Sequence, residues 1–455
     1  MFLIKGDVMN NNLYPERHIL SIDLKSFFAS CECVMRKLDP FTVPLVVANP
    51  NQGKGAITLA ITPFLKAQGI KSRGRLYEIP ANIKYFIVPP RMSKYIEFSK
   101  KVINVYLDFV AKEDLHIYSI DECFLDVTHY LKLYKKTDYE LAKEILQSIT
   151  EKTGLTATCG IGPNILLAKI AMDVEAKKYK NGIAKWTYDD VRTKLWEITP
   201  LSKMWGIGPR MEKRLNNLGI YRIGDLAKYN QNILKTKFGV IGIELWEHAN
   251  GIDLSTIKDL SNKMPDKSYS NSQVLFKDYN GNNIILIIRE MVDIVAKRLR
   301  CNNKQGSIIG LLIGYSKNVG SGFYHVLKLD TPTDDIRIIF DACLVIFDKY
   351  YGNQPIRKVG VSIGGLVEKD CLQLSIFESI DQVNKFESQN EVIDKITEKF
   401  GKNSILKASA LLGESTIKER NKKIGGHSEW IWVVMLQNGS HLMQLLVEIL
   451  WLKMF

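Results

Sequence analysis

Cysteine is scarce in this sequence: the seven residues (Cys31, Cys33, Cys123, Cys159, Cys301, Cys343 and Cys371) are odd in number, scattered and form no C-x-x-C pair. Neither a disulfide framework nor a zinc site is indicated, and a reducing compartment, the cytoplasm, is expected. No apolar run reaches the roughly 18 residues that a membrane span requires. The opening MFLIKGDVMNNNLYPER has no apolar stretch of signal-peptide length, so no membrane partner is expected. Acidic residues are in deficit, with 62 Lys and Arg against 49 Asp and Glu, a formal net charge of +13 and a pI near 9.1. That imbalance favours a polyanionic partner such as nucleic acid or an anionic surface, although a merely soluble basic protein has the same balance.

Apolar residues are not in deficit. At 46% hydrophobic and 24% charged over 455 residues, the chain can bury a core in each of about three or four domains, and nothing suggests wholesale disorder. A short strand from His18 to Ile22 runs into Asp23, and Ser26 to Met35 has helical apolar spacing. Strands at 44–49 and before Pro63, with a short helix after it, form a compact insertion. Residues 92–110 read as an amphipathic helix, and 115–120 and 124–127 as two strands separated by Asp121 and Glu122. A helix over 139–150, a strand over 156–161 and a helix over 164–177 complete a βα arrangement. After Trp186 come short helices with glycine turns, then the polar linker SNKMPDKS, then a strand and helix order over 269–376 that predicts a split βαβ sandwich. Past Phe377 the chain is charged and helical to about Leu412, then polar and basic, and mobility is expected there.

If the strands ending at Asp23 and at Asp121–Glu122 are neighbours, three carboxylates meet at one sheet edge. Such a donor set suits hard divalent cations, and two of them serve phosphoryl transfer. Taken singly, each acid also reads as a solvated turn residue.

The stretches IDLKSFFASCE (Ile22 to Glu32) and YSIDECFLDVT (Tyr118 to Thr128) together resemble the two palm motifs of the Y-family translesion DNA polymerases, in the UmuC-like branch of Gram-positive bacteria, plasmids and phages. The resemblance runs over roughly residues 17–425. It implies an α+β multi-domain right hand: palm (17–39 and 85–185, a βαββαβ-type sheet), small fingers (40–84), a helix–hairpin–helix thumb (186–255), a linker (256–268), a βα-sandwich little finger (269–378) and a C-terminal tail (379–455), after an N-terminal extension (1–16).

Carried over, the resemblance makes Asp23, Asp121, Glu122 and the Leu24 carbonyl ligands of two Mg²⁺ ions, with Mn²⁺ a substitute. It makes Phe28 a steric gate against a ribose 2′-hydroxyl, and Phe27 a core residue whose backbone borders the nucleotide. Lys25 departs from the acidic or amide residue of many relatives. Lys66, Thr62 and one of Lys177 and Lys178, with Lys177 preferred, match positions around the triphosphate, where charge builds during transfer; a solvated helix face is the bland reading of each lysine.

Trp205-Gly206-Ile207-Gly208-Pro209, leading into a helix, has the hydrophobic–Gly–x–Gly form of a phosphate-gripping hairpin. Arg210, Lys213 and Arg214 add contacts that read no sequence, the alternative being an ordinary tight turn. The appended domain carries Lys297, Arg298, Arg300 and Lys304, and the resemblance implies that its basic side chains straddle the template. Gln373, Leu374, Ser375, Ile376 and Phe377 resemble the peptide that docks on the bacterial sliding clamp, or else form a last edge strand.

The resemblance therefore implies low-fidelity lesion bypass on primer–template DNA with dNTPs, in a damage (SOS-type) response with accessory proteins. Two alternatives share features with it: a palm-fold nucleotidyl cyclase, which would lack the hairpin and the clamp peptide, and a non-catalytic DNA- and clamp-binding adaptor, which would need a broken carboxylate. The apolar segment 430–455 lies outside the family resemblance; it docks on a domain, binds a partner or is an aberrant extension.

Overall fold

The strand Ile19–Leu24 (β1) is buried along nearly its whole length, with Ile19, Leu20, Ser21 and Ile22 at 0% exposure. Strand residues alternate faces, and β1 sorts accordingly. Leu20, Ile22 and Leu24 enter the large core shared with later helices, whereas Ile19 joins a separate cluster with Phe124, Ile165 and Ala168. Asp23 falls in the second row.

The computed structural model describes Tyr14 and residues 16–261, 267–317, 319–369, 380–424, 427–428 and 435–436. They divide between two units, Met1–Lys263 with His427–Phe455, and Met264–Gly426.

In the first unit β1 leads into Phe27–Met35 (α1), then Leu45–Ala48 (β2), Thr58–Ile61 (β3), Pro63–Ala67 (α2), Phe86–Val88 (β4) and Met92–Leu107 (α3). Next come Leu115–Ile117 (β5), Glu122–Asp126 (β6), Tyr130–Tyr134 (α4), Asp138–Thr153 (α5), Ala157–Gly162 (β7), Ile165–Val174 (α6) and Ile183–Lys185 (β8). The main sheet has the order β5-β6-β1-β7-β8, antiparallel except for the parallel β7–β8 pair. One face packs on α3 and α5, the other on α6.

Helix α5 starts in a capping box between Thr137 and Glu140 and ends at Gly154 with φ 73°. Helix α6 starts at the fully buried Asn164, whose side chain accepts from the Leu167 amide at 2.8 Å. It lies unusually close to the sheet because β7 offers no side chain there: a Cβ on Gly160 would stand 2.0 Å from the Ala168 carbonyl oxygen, and one on Gly162 2.4 Å from the Ala168 nitrogen. The inserted segment forms its own sheet of β3, β2 and β4, with Met435–Leu436 pairing against β4. Five short helices follow, Pro209–Asn216 (α7), Ile223–Lys228 (α8), Gln231–Phe238 (α9), Val240–Ala249 (α10) and Ile257–Ser261 (α11), four of them around a core that they share with α6 and β8.

The second unit runs Ser268–Tyr279 (β9), Gly281–Cys301 (α12), Lys304–Tyr315 (β10), Phe323–Thr333 (β11), Ile336–Tyr350 (α13) and Ile356–Gly364 (β12), with Val367–Glu368 (β13) at the edge. The antiparallel order β11-β10-β12-β9 is the split βαβ arrangement expected. Both helices bury their apolar stripes on one sheet face, while Val274, Phe276, Tyr324 and Val326 on β9 and β11 stay exposed.

One expectation is corrected here. Residues 380–424, expected to be helical to about Leu412 but to form a mobile tail, include the helix Ile380–Phe400 (α14) as expected, and with Ile417–Asn421 (α15) they pack within the second unit. Buried Glu290 of α12 accepts from Ser415 Oγ at 2.5 Å and Thr416 Oγ1 at 2.9 Å, and Arg300 donates to Asp394 at 2.8 Å. A few polar side chains of this segment, Asp394, Ser415 and Thr416, thus tie it to α12.

Candidate active site

The face beneath α6 carries the acidic residues singled out in the sequence. In the antiparallel register Ser21 stands opposite Phe124 and Asp23 opposite Glu122, and on the other side Asp23 opposite Thr158. Opposed residues of adjacent strands hold their Cβ atoms about 5 Å apart, so two carboxylates share one end of the row. Asp121 follows in the turn, where its carbonyl accepts from the Leu24 amide at 2.9 Å and its carboxylate from Ser119 Oγ at 2.7 Å. The turn itself spans 118–121, closed by the Tyr118 and Ser119 amides donating to the Glu122 carbonyl. Glu122 is therefore not at the hairpin tip, as the sequence pattern suggested, but is the first residue of β6 and is buried.

Like charges side by side in a half-dry setting are costly. Burial raises the Asp23 carboxyl above its ordinary value; Lys177 pulls it down and Asp121 adds to the rise. Burial also raises Glu122, against the opposing pull of Lys169.

Both lysines come from the α6 side. Lys169 Nζ is 2.6 Å from Glu122 Oε1 and 3.0 Å from Asp173, and Lys177 Nζ is 2.5 Å from Asp23 Oδ2 and 2.7 Å from Asp173. These partners lift the Lys177 ammonium above the ordinary lysine value although burial opposes the rise. Sequence reasoning missed Lys169 and Asp173. Their signal was a lone lysine in the apolar helix ILLAKIAMDV, since a buried lysine needs a partner carboxylate.

Among the described residues no three His, Cys, Asp or Glu side chains are already gathered as a metal cluster. The carboxylates are neighbours in register but are turned to ammonium groups. The donor set nevertheless fits a hard divalent cation: it offers only carboxylate and carbonyl oxygens, burial raises two of the carboxyls in spite of their lysine partners, and buried Glu122 Oε1 has no well-directed hydrogen bond despite its short ionic contact with Lys169.

Around this centre the other predicted residues divide. Lys66, exposed on α2, lies within electrostatic reach: crowding lowers its pKa, Asp23 and Asp121 raise it and Lys177 lowers it. Lys178 is exposed beside Lys177. Phe27 is buried and Phe28 partly exposed. The turn into α1 passes through Ser26 in the left-handed region, φ 49° and ψ 43°, an uncommon conformation for serine.

Thr62 is corrected. It has 0% exposure, and its hydroxyl donates to the Val43 carbonyl and accepts from the Leu45 amide, so it fastens the inserted sheet and has no free surface for a nucleotide.

The hairpin glycines are exposed, as are Arg210, Lys213 and Arg214. Gly206 has φ 91° and Gly208 caps α7 with Pro209 next. Trp205 Nε1 donates to Tyr118 Oη at 3.2 Å, and Lys169 Nζ lies 6.0 Å from the Tyr118 ring, which links hairpin and carboxylates through one aromatic.

In the second unit Arg298 is exposed and donates to the Ser270 carbonyl at 2.8 Å. Lys297 and Arg300, expected to face template, pair instead with Asp394; Lys304 lies 3.8 Å from Glu368. Residues Gln373, Leu374, Ser375, Ile376 and Phe377 lie outside the described residues.

Three family comparisons cover most of this framework. The impB/mucB/samB family matches residues 22–173, its C-terminal domain 266–376 and its helix–hairpin–helix motif 188–220. A Bacillus subtilis (strain 168) protein carrying the UV-damage repair name UvrX is 40% identical over 417 residues, 91% of this chain and 98% of its own length. A protein of the same organism named DNA polymerase IV 2 is 34% identical over 424 residues, 91% of this chain and 100% of its own length. A solved Y-family DNA polymerase chimera of Dbh and Dpo4 covers 77% of this chain and 99% of its own at 22% identity and a TM-score of 0.59.

Proposed function

Since the chain belongs to the impB/mucB/samB family of UmuC-like Y-family polymerases, we propose that it is a DNA-directed DNA polymerase of translesion synthesis, extending a primer 3′-hydroxyl with dNTPs opposite damaged template. The observation that carries this reading is the Asp23–Glu122 register pair with Asp121 beside it, two of the three carboxyls raised by burial.

Divalent metal dependence comes with the family. We take the metal to be Mg²⁺, two ions held by Asp23, Asp121, Glu122 and the Leu24 carbonyl, with Mn²⁺ a substitute; they would activate the 3′-hydroxyl and stabilise the leaving pyrophosphate.

The chain's own residues do the rest. Lys177 and Lys169 hold the carboxylates ionised before metal binds, because each ammonium favours the charged form beside it. Lys177 and Lys66, both within electrostatic reach of Asp23, supply fixed positive charge for the triphosphate. Phe28 excludes the 2′-hydroxyl by a built clash.

Gly206, Gly208, Arg210, Lys213 and Arg214 grip duplex backbone, with Arg298 of the second unit on the template. We keep the domain boundaries read from the sequence as the working division, with 380–424 assigned to the little finger. Small fingers of few strands leave the nascent base pair loosely checked, which admits distorted template bases at the expense of fidelity. We assign Gln373 to Phe377 to the sliding clamp, and place the protein in the cytoplasm with accessory damage-response proteins as further partners. No helix among the described residues is long and apolar enough to cross a membrane.

Templated single-nucleotide incorporation tests the assignment. With Mg²⁺ and four templates differing in one base, the complementary dNTP should be preferred each time. Incorporation blind to template, cyclisation of a triphosphate, or DNA binding with no incorporation would each contradict it.

A further inference from the structure

Beside the site lies a group of buried charges that the proposed chemistry does not use. Phe28, Glu32 and Arg36 follow one another at i, i+4 and i+8 along α1, and Arg91 and Tyr95 face them from the start of α3. Glu32 and Tyr95 both have 0% exposure. Arg91 holds the Glu32 carboxylate with two bonds, Nε to Oε1 at 3.0 Å and Nη2 to Oε2 at 2.6 Å; Arg36 donates to the same carboxylate, and Tyr95 Oη donates to Oε1 at 2.7 Å. The Tyr95 ring in turn packs against Phe28 with centroids 4.9 Å apart, and against Phe27 at 6.4 Å.

A buried ion cluster of this kind is a poor source of stability, because desolvation offsets most of the attraction, yet it fixes positions firmly. Here the fixed object is an aromatic ring that packs at a tilt of 55° against Phe28. We propose that Tyr95, anchored by Glu32, is a positioning residue for Phe28 and thereby sets how strictly this polymerase discriminates deoxyribonucleotides from ribonucleotides.

The inference rests on the reading of Phe28 as the sugar gate. It adds that the gate works only while its ring is braced from behind. Loss of the Tyr95 hydroxyl leaves the ring volume intact but frees it to swing away from Glu32, and Phe28 gains room to yield to a 2′-hydroxyl.

The test is steady-state incorporation of one dNTP and its matching rNTP by the full chain and by Tyr95→Phe, Glu32→Gln, Phe28→Ala and the double variant Tyr95→Phe/Phe28→Ala. Tyr95→Phe and Glu32→Gln should each lower the dNTP:rNTP ratio of kcat/KM by about tenfold, the scale on which one lost pocket constraint changes discrimination, through a gain with rNTP and not a loss with dNTP. The double variant should match Phe28→Ala alone, since a brace has no effect once the braced ring is gone.

If Phe28→Ala relaxes sugar choice while Tyr95→Phe and Glu32→Gln leave the ratio unchanged, the brace is refuted and the gate stands. If Phe28→Ala itself leaves the ratio unchanged, gate and brace both fall. An equal decline with dNTP and rNTP in Tyr95→Phe marks a general packing role and also refutes the brace.

Discussion

Replacing Gly160 by alanine should damage both stability and polymerisation, although the residue touches neither nucleotide nor DNA. A Cβ at this position would stand 2.0 Å from the Ala168 carbonyl oxygen, 2.4 Å from the Met172 nitrogen and 2.8 Å from Met172 Cβ, where ordinary contact begins at 3.4 Å. The obstacle is the backbone of α6, so no rotamer change relieves it; the helix must lift from the sheet. Overpacking of this sort costs about 1–3 kcal/mol and occasionally more, and backbone collision argues for the upper end, a fall in Tm of roughly 5–10 °C.

The same lift withdraws Lys169, now 2.6 Å from Glu122, and Asp173, now 2.7 Å from Lys177. Primer extension at a permissive temperature should therefore drop by about tenfold or more, since small misplacements of catalytic groups are expensive. Gly55, with nothing within 4 Å of its added Cβ, is the control, and Gly55→Ala should change neither quantity. Thermal melting and single-turnover extension of the two variants decide the matter. A Gly160→Ala protein with wild-type Tm and rate would refute the claim that α6 is seated on a bare strand.

Three further outcomes are expected. Asp138 anchors the main sheet through His18 Nδ1 at 2.7 Å and Lys185 at 2.8 Å. Burial raises its pKa, but the bonds from Lys185 and His18 more than offset this and leave it below 3.8. A depressed carboxyl contributes stability above its unfolded pKa and loses it as pH falls through the folded one; denaturant melts at stepped pH should show wild type losing its advantage over Asp138→Asn below about pH 4, and an advantage that grew on acidification would contradict the assignment. Lys177→Ala should raise KM for dNTP more than it lowers kcat, because it removes a fixed positive charge assigned to the triphosphate while the Lys169 contact with Glu122 remains; steady-state kinetics that showed no change would remove Lys177 from the triphosphate. Gly206→Ala meets no neighbour but must keep φ 91°, a strain of about 1 kcal/mol, and should weaken binding to every duplex sequence alike in a salt-dependent titration; a sequence-selective loss would contradict a backbone grip.

Much of the site was legible because strand periodicity and register are local. An acid at the end of an apolar run, and an acidic pair before a second run, meet whenever the two strands pair, and Asp23 and Glu122 do. What stayed hidden depends on contacts distant in sequence. Thr62 carries a hydroxyl suited to a phosphate, but its partners at Val43 and Leu45 are backbone groups of the neighbouring strand. Glu32 looks like a surface helix acid until Arg91 and Tyr95 arrive from α3. Residues 380–424 read as solvated because their partners, Glu290 and Arg300, belong to α12, and Lys297 and Arg300 read as free basic residues for the same reason.

The most direct measurement is primer extension across a template abasic site with Mg²⁺ and all four dNTPs, comparing the wild type with Asp121→Ala plus Glu122→Ala. Extension past the lesion by the wild type, with none by the double variant at equal DNA affinity, is the result the account predicts. A wild type that binds primer–template but never passes the lesion, or a double variant that extends as well as the wild type, would contradict it.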